Sequence, residues 1–241
     1  MKIYSTEGII FRTLKYSETS IICDIYTKAK GLRSFIISGV RTSKVGSKAA
    51  IYRHLNIVDI ISYDQEADKL ARINEITLNY HYNSINKDVI LSSMAIFMLE
   101  VSRNAIKEKE SNEDLYTFIK DWLVFIDTHP NLNPHWHLLF MIELSTYLGF
   151  GPMDNHSGEK PYFDMLEGIF CDYHAGSEYI LDDEDSLVLF MLCQVNRVNL
   201  ENLQFTKMER DRLTDNLLKF YKLHLPSFRD LNSVGVLRSV L

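Results

Sequence analysis

Cysteine is scarce in this 241-residue chain and odd in number: Cys23, Cys171 and Cys193 stand far apart. Such spacing gives no disulfide framework and fits a reducing compartment, the cytoplasm. Long apolar runs are missing as well. The longest, Val89 to Val101, is broken by Ser92, Ser93 and Glu100, too short to span a bilayer and suited to a buried helix. The first residues, MKIYSTEGII, lack the apolar stretch and small-residue cleavage site of a signal peptide. These absences predict a soluble cytoplasmic protein with no membrane contact.

Catalytic patterns are also missing. There is no G-x-S-x-G, no H-E-x-x-H and no Cys/His pair in a recognisable frame. Gly39 to Lys48 has the look of a phosphate-binding loop. However, the fifth residue after Gly39 is Lys44, and Ser47 separates Gly46 from Lys48, so the G-x-x-x-x-G-K-[ST] spacing fails. The expectation is a protein that is not an enzyme.

The most informative absence is that of acid between Ile25 and Val58. Lys28, Lys30, Arg33, Arg41, Lys44, Lys48 and Arg53 lie there without one Asp or Glu, in a chain holding 26 Lys+Arg against 32 Asp+Glu. Clustered cations repel one another, so folding does not ask for them; a polyanion does, and nucleic acid is the commonest. The Ser/Gly-rich backbone from Gly39 to Tyr52 would let Arg41, Lys44 and Lys48 reach several phosphates, each releasing counterions. Arg33 and Phe35, on one face of a strand, offer a cation beside a base-stacking ring. The bland alternatives are a solvated loop and an aromatic side chain that is simply packed. Residues 1–80 hold 12 cations against 8 acids, and the remainder 14 against 24. A basic head on an acidic body suggests DNA contact at one end and protein contact at the other.

Five β-branched runs fill the head: Gly8–Leu14, Ser20–Thr27, Leu32–Ser38, Leu55–Tyr63 and Leu70–Leu78. With a long insert after the third, they fit a five-stranded Greek-key barrel of the OB type; an SH3-like barrel fits almost as well. From about Ser84 the period turns helical. Helices are expected over Asn86–Lys109, from a capping box at Ser111/Asp114 to about His129, from Pro134 to Gly149, over Asp182–Asn196, and from Thr206 to about Leu225. Residues 150–181 are less regular. The fold class is therefore α+β, with an OB-type domain over 1–80 and a helical domain over 81–241 that carries the irregular insert.

Minor motifs weigh less. His135 and His137, two apart on a helix, point about 200° apart and cannot share a metal easily. Cys171 and His174 have the spacing of half a zinc site, with His156 and Glu159 as an unusual second half. Structural zinc favours thiolates, so metal is not expected. The run Asp182–Asp185 suits a helix start.

Taken together, several segments resemble the RecO family of bacterial recombination mediators. They are Glu7–Arg12, Tyr16–Ser20, Tyr26-Thr27 with Lys30-Gly31, Ile36–Arg41, Leu148–Phe150 and Tyr221–Pro226. The first 45 residues carry most of the likeness. The resemblance implies an OB-fold head, a helical body and binding and annealing of single- and double-stranded DNA. It implies partners too: RecR, often RecF, the recombinase RecA and the acidic tail of single-strand-binding protein. Arg33, Arg41, Lys44 and Lys48 occupy the family's basic strand-and-loop surface. Many such proteins hold zinc in the insert through two C-x-x-C pairs. Here only Cys171 remains of the four, so no cofactor is implied and packing of Tyr162, Phe163, Ile169 and Phe170 is expected to hold the insert. The rival reading is an adaptor whose basic loop grips an acidic partner tail.

Overall fold

The computed structural model describes residues 3–40, 49–66, 69–129, 131–172 and 177–241. Its first compact unit, Met1–His129, is built on β1 (Ile3–Lys15), β2 (Ile21–Thr27), β3 (Gly31–Ile37), β4 (Ile57–Tyr63) and β5 (Ile73–Leu78). All ladders are antiparallel, in the order β3-β2-β1-β4-β5. β1 is longer than its apolar run because its first half pairs with β4, Ile3 opposite Tyr63, and its second with β2, Lys15 opposite Ile21. A bulge between Ile10 and Arg12 separates the halves. The extra residue shifts which face each side chain takes, and Ile9, Ile10 and Phe11 are all buried.

The inner face gathers Ile10, Cys23, Ile25, Phe35, Val58 and Ile60 into one core. Alternation along β2 places Ile21, Cys23 and Ile25 on this face. Tyr26, on the opposite face, is buried as well, stacked on Phe11 with ring centroids 5.3 Å apart and set beside Tyr116. The two edge strands meet at one isolated parallel bridge, Phe35 with Ala71. There Ile36 N donates to Ala71 O at 2.9 Å and Ala71 N to Ser34 O at 3.0 Å. The sheet is thus a five-stranded antiparallel ladder, curled enough that among the described residues its edges are joined by this one bridge.

Two helices complete this unit, α1 (Val89–Ala105) and α2 (Glu113–Thr128). Asp88 caps α1 by accepting from Ile90 N and Leu91 N, which stops the helix short of Asn86. Asn112, not Ser111, caps α2 by accepting from Leu115 N. The expected capping box at Ser111/Asp114 is therefore not the cap; Ser111 lies one residue before Asn112, and its hydroxyl donates to Lys28 O. Asp127 near the end of α2 accepts from Asn83 N, Ser84 N, Ile85 N and the Tyr80 hydroxyl, all within 3.0 Å. Burial alone would raise the pKa of this carboxyl, but the four hydrogen bonds hold it below the usual value. They staple the chain leaving β5 to the helix. Gly31, at φ +65°, lets the β2–β3 turn meet residues 108–111; a Cβ there would lie 2.1 Å from Glu110 O.

The second unit, Pro130–Leu241, centres on α3 (Trp136–Tyr147). This helix is apolar nearly all round and is buried from Trp136 to Ile142. Asn133 Oδ1 accepts from His135 N, so regular helix begins after Pro134 rather than at it. The 150–181 stretch contains a hairpin, β6 (Tyr162–Asp164) with β7 (Ile169–Cys171). α4 (Asp183–Cys193), a 3-10 turn (Asn199–Asn202), α5 (Lys207–His224) and α6 (Ser233–Val240) follow. Thr206 and Glu209 form the expected capping box at the start of α5. Among the described residues the α+β expectation holds: a five-stranded sheet, then six helices interrupted by a small hairpin.

Candidate nucleic-acid interface

The acid-free window is acid-free along the chain but not in space. Lys28 Nζ lies 3.7 Å from Glu113 Oε2, and Lys30 Nζ 2.9 Å from Asp64 Oδ1 and 5.3 Å from the Tyr4 ring centroid. Exposed pairs of this kind are worth ~0–1 kcal/mol, so phosphate can displace them, but neither lysine offers its charge unopposed. Arg33 is half-buried and donates to Leu32 O. Arg53 is exposed and meets no acceptor among the described residues. Arg41, Lys44 and Lys48 lie outside the described residues, as does His174.

Phe35 corrects an expectation. It is fully buried, opposite Cys23 in the core, and cannot offer a face to a base. Arg33 and Phe35 do share a strand face, as expected, but it is the inner one.

Register places other residues on the outer face. Arg12 pairs with Asp24, and Asp24 with Ser34, forming one cross-strand row. The Arg12 guanidinium grips the Asp24 carboxylate at 2.6 and 2.8 Å, and Ser34 Oγ donates to it at 2.6 Å. The next row is apolar: Leu14, Ile22 and Ile36. Ala71 faces the core beside Phe35, so by alternation Leu70 and Arg72 turn outward and extend both rows. Leu70 is 42% exposed and Arg72 is open to solvent. Lys15 and Tyr16, the latter 59% exposed, stand where β1 runs out. Val40 N donates to Thr19 O, so the chain just after β3 lies beside this turn. Lys15 and Arg72, like Arg53, have no partner for their charge among the described residues.

A surface with aliphatic rows, an exposed tyrosine and unopposed cations is what stacking and backbone contact with an unpaired strand require. Lys15, Tyr16 and Arg72 fall outside the acid-free window, which is why composition did not point to them. The outward turn of Leu14 depends on the bulge at Phe11 and that of Arg72 on the Ala71 bridge, and neither has a clear sequence signal.

The remaining motifs resolve without chemistry. Asp182 caps α4 by accepting from Asp185 N, and Arg212 pairs with Glu184 and Asp185. His135 and His137 do lie at a helix start, and both are buried there. His137 Nε2 lies 3.2 Å from Thr214 Oγ1. Burial, with Arg210 nearby, lowers their pKa values to about 4 and about 3. Burial also pushes the Cys23 and Cys193 thiols up to about 12, far from nucleophilic. Around the insert, His156 stacks on Phe190 with centroids 4.2 Å apart, and Phe163 and Phe170 pack together in the core. Asn155 clamps Phe170 through both backbone groups. Among the described residues no three His, Cys, Asp or Glu side chains converge as metal ligands. His156, one of the candidate donors, packs against Phe170 and Phe190.

Two family models cover nearly the whole chain. Recombination protein O N terminal matches residues 1–82, and Recombination protein O C terminal residues 86–232. The chain is similar to the DNA repair protein RecO of Flavobacterium psychrophilum, 31% identical over 236 residues, 98% of each chain. It is 30% identical over 236 residues to that of Christiangramia forsetii, again 98% of each. The protein of the same name from Bacteroides fragilis is 31% identical over 245 residues, 99% of each. Sheet, helical body and full-length similarity agree, and the chain belongs to the RecO family.

Proposed function

We propose that the chain is a DNA-binding, strand-annealing recombination mediator in DNA repair, working without a catalytic residue. The observation that carries this reading is the outer sheet face, where Arg72 has no charge partner among the described residues and where Leu14 and Leu70 are exposed, with Tyr16 exposed at the end of β1. Lys15, also at that end, and Arg53 in the 50–56 turn likewise have no charge partner among the described residues. Annealing needs no bond chemistry. Neutralising phosphate repulsion on two strands at once lets complementary bases meet. The head, residues 1–80, would hold the strands, with Arg41, Lys44 and Lys48 adding phosphate contacts. The acidic body, residues 81–241, would dock RecR, single-strand-binding protein and, in turn, RecF or RecA.

The test is annealing of two complementary oligonucleotides pre-coated with single-strand-binding protein. Wild-type protein should accelerate it, and replacement of Lys15, Arg53 and Arg72 by Ala should lose most of that gain. A wild-type protein that binds neither bare nor coated strands would sink the reading.

One observation favours a second reading, an adaptor that grips an acidic tail. Lys28 and Lys30 already take carboxylates, Glu113 and Asp64. An adaptor of that kind would bind an acidic peptide and ignore plain oligonucleotide at moderate salt.

A further inference from the structure

One feature of the first unit is not needed for general phosphate binding. A cleft of about 550 Å³ opens between the 50–56 turn, the end of β5 and the connector to α1, lined by Ala50, Ile51, Arg53, Asn56, Leu78 and Asn86. That volume lies within the usual range for small-ligand sites. Its walls are chemically mixed in a specific way. Ala50, Ile51 and Leu78 supply apolar surface. Arg53 supplies a permanent cation without a partner among the described residues. Asn56 spends both its amide hydrogens on Ala50 O and Ile51 O, at 3.0 and 2.9 Å, which leaves its side-chain oxygen as an acceptor. Asn86 donates once, to Tyr82 O, and keeps one donor and an acceptor.

The backbone beneath the cleft is held in an uncommon shape. Leu55, a bulky residue, has φ +75°, in the left-handed region that such side chains seldom enter. Two bonds fix it there: Leu55 N donates to Ile10 O, and the buried Tyr82 hydroxyl donates to Leu55 O, each at 3.0 Å. The turn that presents Arg53 and Asn56 is therefore fixed from both sides before any ligand arrives. Strained backbone of this kind tends to persist where a site must be pre-formed.

We propose that this cleft takes one unpaired nucleotide of a single strand: the base rests on Ile51 and Leu78, its edge meets the Asn56 and Asn86 amides, and Arg53 holds the adjoining phosphate. The inference rests on the DNA-binding reading and adds to it a preference between strand forms. In a duplex the base edges are already paired and stacked, so the amides have nothing to read. In an unpaired strand both edge and face are free. Asn86 suits this role because its amide can still donate and accept side by side, as base edges do, and Asn56 adds a second acceptor.

The experiment compares wild type with Asn86→Glu, Asn86→Ala and Arg53→Ala. The probes are a short thymine oligonucleotide containing one 2-aminopurine and a duplex of equal length. Asn86 is exposed, so its variants should keep the wild-type melting temperature. The expected result for Asn86→Glu is a loss of about tenfold in single-strand affinity with duplex affinity changed less than about twofold. The 2-aminopurine fluorescence change on binding should vanish, and Asn86→Ala should fall between. Equal losses on both strand forms, or no loss on either, would overturn the cleft assignment while leaving general DNA binding intact. If wild type bound neither probe, the DNA reading would fall, and the cleft with it.

Discussion

Phe35 and the two buried histidines show what a single position can and cannot reveal. Phe35 sits in an alternating strand beside cations, and alternation says only that it shares a face with Arg33. Whether that face is inner or outer depends on how the sheet curls, and the curl brings Ala71 against Phe35. His135 and His137 read only as two histidines that point apart around a helix; the pattern does not tell that α3 is so apolar that even its first turn is buried. Their burial has a measurable consequence. Burial first, and Arg210 second, depress both pKa values, to about 4 and about 3. The unfolded chain therefore takes up protons from about pH 6.5 downward, while the folded chain does not until near pH 4. The associated stability is fully present above pH ~6.5 and is lost as pH falls toward the folded values. The melting temperature should drop by several degrees between about pH 7 and about pH 4.5. His135→Gln should show a shallower drop. An identical slope in that variant would mean that carboxylates alone set the acid limit.

At the scale of elements, most strands and helices were legible from periodicity and caps, and the departures have specific causes. β1 begins five residues before its apolar run because Ile3–Glu7 pair with β4, a distant partner that no local pattern announces. The start of α2 lies one residue later than expected because the Asn112 side chain takes the cap, accepting from Leu115 N, while the Ser111 hydroxyl reaches out to Lys28 O. The Thr206/Glu209 box was readable because every group it uses lies within four residues. Gly31 belongs to the long-range class. Its role arises from the approach of Glu110, about eighty positions away. Gly31→Ala would place a methyl 2.1 Å from Glu110 O at φ +65°, at a cost of roughly 2–3 kcal/mol or more. Thermal unfolding should then move down by about 5 °C or more. Gly39, at φ +74° with nothing within 4 Å of an added Cβ, is the control: its alanine variant should lose only about 1 kcal/mol. Equal losses at the two sites would show that backbone conformation, not the contact with Glu110, sets the requirement.

Across the whole molecule, the division of charge was legible from composition, but its neutralisation was not. Seven cations in one window suggested a uniform basic surface. Glu113 and Asp64 arrive from elsewhere and occupy Lys28 and Lys30, while Lys15 and Arg72, outside the window, remain open. Salt dependence can separate these groups. On a single strand each lost phosphate contact should flatten the slope of log affinity against log salt by about 0.7. The Lys15/Arg53/Arg72 triple alanine variant should therefore flatten it by about 2, and a Lys28/Lys30 double variant by less than 1. The reverse ordering would return the interface to the lysines of the window. The body, by contrast, gives few clues to its partners, because helix faces that dock proteins are built from the same residues as those that merely solvate.

Among the described residues the edges of the curled sheet meet at one isolated bridge, a seam that should be the first part of the sheet to open. Two amide hydrogens, those of Ile36 and Ala71, hold the edges together, whereas β1, in the middle of the sheet, is laddered on both sides. Breathing of the sheet should begin at the seam, and these two amides should trade their protons for deuterium sooner than those of Cys23 or Ile60. A strand of DNA lying over Ile36 and Arg72 would act as a suture. Its arrival would slow exchange at Ile36 and Ala71 and leave the amides of Ser84 and Ile85, stapled to Asp127, as they were.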